Sequence, residues 1–177
     1  MALKVLFIRH ASADSADENT PDEQRSLNEA GFIEARRTAE AIRAMDLTIE
    51  TIYTSPLLRA RQTADVLAEV HEVEKVLDDP SLLPDGAPGE FAGRMLERLA
   101  EGPGVIAAVG HGPSIDQCLA YLVAGAEDIG TSLSKAGVGC VQLADKKSGL
   151  KTKLRWLMHR EQLAAMSQLG GSIEDDE

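Results

Sequence analysis

Apolar segments that end in basic side chains recur along this chain and limit the folds that it can adopt. The first, residues 3–8, has the almost entirely apolar character of a buried β-strand, and Arg9 and His10 follow it directly. The run 105–109 is uninterrupted, as in a strand covered on both faces of a sheet, and His111 stands just beyond it. Open α/β sheets bind ligands at the carboxyl ends of such strands. The alternative is that these basic residues simply mark strand ends.

A third basic position lies at a predicted helix start. The short β-rich segment 51–54 breaks at Pro56, and a helical pattern follows over about residues 57–70. Proline is favoured near the first turn of a helix because its missing N–H would have had no partner there. Arg59 then lies near the positive end of the helix dipole, where an anion is favoured and a cation is not. Anion binding supplies a reason for this placement.

These basic residues predict one pocket. If the three strands are neighbours in a parallel sheet, Arg9, His10, Arg59 and His111 converge on one crevice. Two histidines and two arginines without nearby carboxylates favour a phosphoryl pocket over a metal site, and we expect no cofactor. An imidazole can act as a nucleophile, and a guanidinium can clamp a phosphate.

The alternation of strands and helices predicts a three-layer α/β/α fold, with a mostly parallel central sheet and helices on both faces. Residues 137–143 and 150–158 alternate in polarity and are separated by a polar turn, so we expect an antiparallel hairpin at a sheet edge near the C-terminus. The chain is expected to form a single domain over residues 1–168, followed by an acidic, disordered tail over residues 169–177.

Three segments together resemble the signatures of the histidine phosphatase superfamily, which also includes the phosphoglycerate mutases. They are the pair Arg9-His10, the segment 55–64 (Ser-Pro-Leu-Leu-Arg-Ala-Arg-Gln-Thr-Ala) and the pair Gly110-His111. The match spans the chain from residue 3 to about residue 156.

The short length and the segment 25–31 are most similar to the small bacterial phosphohistidine phosphatases, the SixA-like branch of this superfamily. Ala11 departs from the pattern, because many members carry glycine there. Alanine is small, so a phosphate can still approach closely.

The resemblance implies a mechanism. His10 would attack phosphorus in line and carry the phosphoryl group on one ring nitrogen, while the other ring nitrogen donates to a backbone carbonyl. Arg9 and Arg59 would hold the equatorial oxygens, and a protonated His111 would add a further donor. Water would then hydrolyse the phosphohistidine without a metal.

The proton donor and one further contact are less clear from the sequence. The superfamily commonly uses an acidic residue, and here Asp85 in the loop 78–90 is the candidate; a solvated residue that favours a turn is the alternative. An imidazole leaving group departs more readily than an alkoxide, so a phosphohistidine substrate can dispense with a donor.

Arg25 precedes the capping-box pattern 26–29, which we expect to start a helix. It is either a third substrate contact or an exposed arginine.

The preferred function is therefore a phosphatase for phosphohistidine on a protein, such as a phosphotransfer domain in signal transduction. A phosphatase for a small phosphorylated metabolite and a non-catalytic phosphate-binding module are the alternatives.

The net charge of −11 argues against a nucleic-acid partner. We see no signal peptide and no apolar run near roughly 18 residues, which predicts a protein without a membrane span. The isolated Cys118 and Cys140 are expected to be reduced, buried thiols in the cytoplasm.

Overall fold

The computed structural model describes residues 2–16, 19–146 and 149–170. Within these ranges the strands and α-helices largely alternate, and two short 3-10 turns, Asp22–Gln24 and Pro80–Leu82, lie in the connections. In chain order the elements are β1 (Ala2–Arg9), α1 (Glu29–Ala44), β2 (Thr51–Thr54), α2 (Leu58–His71), β3 (Val76–Asp78), α3 (Pro88–Ala100), β4 (Gly104–Gly110), α4 (Ser114–Ala124), β5 (Val138–Lys146), β6 (Gly149–Met158) and α5 (Arg160–Gly170).

The strands form one mixed sheet in the order β3-β2-β4-β1-β5-β6. The first four strands in this order are mutually parallel, whereas β5 runs antiparallel to β1 and β6 runs antiparallel to β5. This confirms the mostly parallel sheet with an antiparallel edge near the C-terminus. The register aligns the carboxyl ends of the central strands, because Arg9 lies opposite Gly110 and Thr54 lies opposite Val109.

Strand β1 shows why the fold has three layers. Successive side chains on a strand point to opposite faces. Leu6 and Ile8 pack on one face against residues of α1, α2 and α5, whereas Val5 and Phe7 pack on the other face against α3 and α4. Because β1 is buried on both faces, its residues are almost continuously apolar. The predicted helices on both faces of the sheet are confirmed.

The N-cap of helix α1 lies two residues after the start of the predicted capping pattern. Its N-cap is Asn28, whose side chain accepts a hydrogen bond from the Gly31 amide. The Ser26 hydroxyl instead lies 3.1 Å from the Gln62 side-chain oxygen. Leu27 is buried in a small apolar cluster and forms an isolated β-bridge with Ala13, so the chain is still extended at this residue. Asn28 is therefore the first polar residue that can cap the helix.

The predicted domain end at residue 168 lies within the last described helix. Helix α5 continues to Gly170, two residues beyond the predicted domain end. Residues 171–177, most of the predicted acidic tail, lie outside the described residues. The assignment of residues 1–168 to a single domain remains a prediction.

Cys118 and Cys140 are both buried and unpaired. Burial raises the pKa of Cys118 to about 12 and that of Cys140 to about 11, so both thiols are protonated near neutral pH. None of the helices in the described part of the chain combines the length and the apolar character that crossing a membrane requires.

Candidate active site

The four basic residues predicted from strand and helix ends come together. Arg9 ends β1 and His10 follows it, His111 follows β4, and Arg59 lies in the first turn of α2. The rings of His10 and His111 have their centroids 4.9 Å apart and are tilted by 58°. Both rings and Arg59 are buried. The parallel pairing of β1 with β4 is the physical cause of this convergence.

His10 has the form that a nucleophile requires. Its Nδ1 lies 2.7 Å from the carbonyl oxygen of Ala11. A carbonyl only accepts, so Nδ1 carries the proton and Nε2 carries the free lone pair. The pKa of His10 is lowered to about 4, chiefly by burial, with the hydrogen bond to Ala11 opposing the shift and the positive charges of Arg59, Arg9 and Lys135 adding to it. The ring is therefore neutral near pH 7.

His111 differs from the protonated form that we expected. Burial lowers its pKa to about 3, helped by the neighbouring His10 and Arg59, so His111 is neutral in the free pocket. Its Nε2 lies 2.8 Å from the Ser55 hydroxyl, which already accepts a hydrogen bond from the Leu57 amide at 3.3 Å. Among the contacts that the structure describes for this hydroxyl, Nε2 is the only one that can accept its proton, so we assign the hydroxyl as the donor to Nε2 and place the ring proton on Nδ1. A neutral His111 can still donate through Nδ1.

Two polar atoms of this pocket are left without a partner. Nδ1 of His111 and Nε of Arg9 are buried, and neither has a hydrogen-bond partner in the described part of the chain. The other end of the Arg9 guanidinium donates to the Leu133 carbonyl at 3.0 Å. Buried N–H groups are costly to leave unpaired. A phosphoryl oxygen is the type of acceptor that would satisfy them.

A carboxylate lies on Arg59 in the free pocket. Arg59 donates through Nη1 to the backbone oxygen of Asp22 at 2.8 Å and through Nη2 to its side chain at 3.0 Å. The second carboxylate oxygen of Asp22 accepts from Arg25 at 2.9 Å. The hydrogen bond from Arg25 is the largest cause that holds the pKa of Asp22 below its ordinary value; burial opposes it, and the hydrogen bond from Arg59 adds to the lowering. Asp22 is therefore an ionised carboxylate.

Arg25, the predicted third substrate contact, reaches the edge of this pocket through Asp22. Its Nε also donates to the Asp14 carbonyl at 2.9 Å, which fixes the side chain over the loop that follows β1. Sequence reasoning missed Asp22 itself. The available signal was its position in the loop 12–25, which follows the strand that ends at the pocket.

Asp85, the predicted candidate for the proton donor, is exposed and forms no hydrogen bond or ion pair with any residue that the structure describes. It lies in a turn closed by the Gly86 amide and the Leu83 carbonyl at 2.9 Å. Asp85 therefore has the contacts expected of a solvated residue in a turn, which is the alternative to a proton donor. The described ranges also contain no group of three or more histidine, cysteine or acidic side chains placed to hold a metal ion.

Sequence comparison matches this chain to a family model and to related proteins. The model of the histidine phosphatase superfamily (branch 1) matches residues 5–83. An uncharacterised protein of Picosynechococcus sp. is 30% identical over 165 residues, which cover 88% of this chain and 99% of that protein. The phosphohistidine phosphatase SixA of Escherichia coli K12 is 27% identical over 124 residues, which cover 70% of this chain and 76% of that enzyme.

Solved structures share the fold. The protein histidine phosphatase SixA, complexed with tungstate, matches with a TM-score of 0.80 at 23% identity, over 91% of this chain and 99% of that one. A mycobacterial glucosyl-3-phosphoglycerate phosphatase matches with a TM-score of 0.64 at 14% identity, over 88% of this chain and 98% of that one. The shared fold, the sequence relatives and the family match lead to one assignment. The chain belongs to the histidine phosphatase superfamily (branch 1).

Proposed function

We propose that this protein is a phosphatase that removes a phosphoryl group through a covalent phosphohistidine intermediate on His10. One observation carries the proposal. Nδ1 of His10 is bound to the Ala11 carbonyl, so the neutral ring offers its Nε2 lone pair beside Arg9, Arg59 and His111. A nucleophile with a fixed tautomer in a cationic pocket is the arrangement that phosphoryl transfer through histidine requires.

In the first step, Nε2 of His10 attacks phosphorus, and a P–N bond forms as the bond to the leaving group breaks. Arg9 and Arg59 hold the equatorial oxygens and balance their charge, and Nδ1 of His111 donates to one of them. In the second step, a water attacks the phosphohistidine, releases inorganic phosphate and returns the lone pair to Nε2. The positive charge comes from the two arginines, so this mechanism uses no metal or cofactor.

We propose phosphohistidine on a protein as the substrate, for example in the phosphotransfer domain of a signalling relay. The name of the Escherichia coli relative supports this substrate class. The protonation states of the pocket support it as well: His10 and His111 are neutral and Asp22 is ionised, so no strong acid stands ready in the free pocket. An imidazole whose other ring nitrogen carries a proton leaves as a neutral molecule without help from an acid, whereas an alkoxide must gain a proton.

A small phosphomonoester is the second candidate substrate, because the fold is shared with the mycobacterial glucosyl-3-phosphoglycerate phosphatase. That reaction needs a proton donor at the leaving group. Asp22 is a better candidate for this role than Asp85, because Asp22 touches Arg59 and Asp85 does not. To serve as the donor, Asp22 would have to gain a proton after a phosphoryl group takes over its arginine partners.

The deciding experiment is single-turnover dephosphorylation of a phosphohistidine protein beside a panel of small phosphomonoesters. His10→Ala removes the proposed nucleophile. His71→Ala is a matched control, because His71 is half-buried at the other end of α2 and bonds to the Ala39 carbonyl. Addition of a chelator tests the proposed independence of metals.

Fast loss of phosphate from phosphohistidine that requires His10 and is insensitive to His71→Ala would support the proposal in full. A preference for a small phosphomonoester, again dependent on His10, would keep the mechanism and change the substrate. Absence of turnover on both classes would contradict the enzyme assignment and favour a phosphate-binding module.

A further inference from the structure

One peptide group connects the proposed nucleophile to a carboxylate on a distant helix. The carbonyl of Ala11 accepts a hydrogen bond from Nδ1 of His10 at 2.7 Å. The N–H of the same peptide group belongs to Ser12, and it donates to Oε2 of Glu34 at 2.9 Å. His10, the peptide group and Glu34 therefore form a continuous chain of two hydrogen bonds.

Glu34 is fixed in this position from several sides. Its second oxygen accepts from the Ser12 hydroxyl at 3.1 Å and from Nη1 of Arg160 at 3.1 Å. Its side chain is only 17% exposed. Helix α1 can approach the loop this closely because it carries Gly31, where a Cβ atom would lie 1.9 Å from the Ser12 carbonyl oxygen.

The neighbouring peptide group has a separate anchor. The Ala11 amide donates to the Thr63 hydroxyl at 3.2 Å, and that hydroxyl donates to the Arg59 carbonyl at 2.8 Å. Thr63 thus fixes the peptide group between residues 10 and 11. Glu34 instead acts on the next peptide group, whose carbonyl accepts a hydrogen bond from the imidazole. The two anchors make different contributions, and Glu34 is the charged one.

We propose that Glu34 is a positioning residue for His10, acting through the peptide group between residues 11 and 12. A carboxylate that accepts the N–H of a peptide group polarises the group and makes its carbonyl a stronger acceptor. It also fixes the plane in which that carbonyl lies. Both effects keep the proton on Nδ1 of His10 and leave Nε2 free. This inference rests on the proposed role of His10 as the nucleophile.

The test compares two substitutions of similar size. Glu34→Met keeps the length of the side chain and lacks the acceptor oxygen, whereas Glu34→Gln keeps an oxygen that can accept from the Ser12 amide. Glu40→Ala is the control, because Glu40 is an exposed glutamate on the same helix. Rates and KM are measured on a phosphohistidine protein and on phosphoramidate.

We expect Glu34→Met to lower kcat about tenfold, the effect of losing one charge-assisted hydrogen bond, with KM changed less than about twofold. Glu34→Gln should retain kcat within about threefold of the unaltered protein, and Glu40→Ala should have no effect. Glu34→Ala should behave as Glu34→Met does, and it replaces that variant if Glu34→Met fails to fold.

A second measurement does not depend on turnover. The ¹⁵N NMR signals of the His10 ring in the ligand-free protein report which nitrogen carries the proton. We expect Nδ1–H in the unaltered protein and in Glu34→Gln, and a mixture of tautomers in Glu34→Met. An unchanged tautomer in Glu34→Met, or an equal loss of kcat in the Gln and Met variants, would overturn the positioning role. A tautomer change in a protein without turnover would support that role and overturn the proposed function.

Discussion

Replacement of Asp22 by asparagine should strengthen the binding of inorganic phosphate. In the free pocket, the Asp22 carboxylate accepts from Nη2 of Arg59 at 3.0 Å, so a phosphate that needs this nitrogen must first displace it. Asparagine keeps a side-chain oxygen of the same size and leaves the bond between Arg59 and the backbone oxygen of residue 22 unchanged. The substitution therefore removes the competing charge and one of the two acceptor oxygens, so the side chain can no longer accept from both Arg59 and Arg25.

The exposure of the two partners sets the size of the effect. The Arg59 side chain is 6% exposed, but that of Asp22 is 52% exposed. An ion pair with one half-exposed partner is screened by water and contributes about 0.2–1 kcal/mol. In Asp22→Asn, phosphate can bind Arg59 without breaking this ion pair and losing its free energy. The dissociation constant for phosphate should fall by a factor of about 1.5 to 5.

Isothermal titration with inorganic phosphate at low ionic strength measures this change directly. Asp65→Asn is the matched control, because Asp65 is 55% exposed and pairs with Arg61 on the surface at 3.1 Å. The two variants change the net charge equally, so only a local effect distinguishes them. The difference should shrink at high salt. Equal affinity in both variants, or weaker binding in Asp22→Asn, would refute the competition and indicate that Asp22 instead holds Arg59 in place.

Three further predictions follow from the same contacts. The pKa of His10 is lowered to about 4, chiefly by burial, and only the neutral ring attacks. We therefore expect kcat/KM to be lost as the pH falls through about 4 in a pH–rate profile. A midpoint near 6.5, the value for a free histidine, would contradict this effect of burial. Ser55→Ala, which removes the hydrogen-bond partner of His111, should lower kcat about tenfold in steady-state assays; an unchanged kcat would show that the bond is dispensable. Gly31→Ala should cost about 1–3 kcal/mol of unfolding free energy because its Cβ meets a loop carbonyl, whereas Gly93→Ala, with nothing within 4 Å, should not lower the melting temperature.

The central pocket was predictable from the sequence because its residues are tied to strand and helix ends. Arg9 and His10 stand at the end of β1, and His111 stands at the end of β4. Long apolar runs identify buried parallel strands, and parallel pairing brings their carboxyl ends together whatever the details of the loops. Arg59 follows from the same reasoning, because the helix start after β2 lies at the same edge of the sheet.

Asp22 and Glu34 could not be predicted in the same way. Asp22 lies in a loop without periodicity, and its contact with Arg59 depends on how that loop folds back over α2. Glu34 has the pattern of an ordinary polar position on an amphipathic helix, and only the docking of α1 against the loop after β1 reveals its contact with Ser12. The predicted protonation of His111 does not hold in the free pocket, for a related reason. Depth of burial is a tertiary property, and desolvation outweighs the nearby negative charge of Asp22.

The buried Arg59 needs an acceptor for its charged N–H groups while the pocket is empty. A buried guanidinium without a partner is unfavourable, and the Asp22 carboxylate satisfies Arg59 while no ligand is bound. This carboxylate is singly charged and engages Arg59 and Arg25, but it leaves Nε of Arg9 and Nδ1 of His111 unpaired. A phosphoryl group has three oxygens and up to two charges, so it can engage the groups that Asp22 does not reach. Asp22 therefore offsets part of the positive charge at rest, and the pocket still favours a phosphoryl group over a carboxylate.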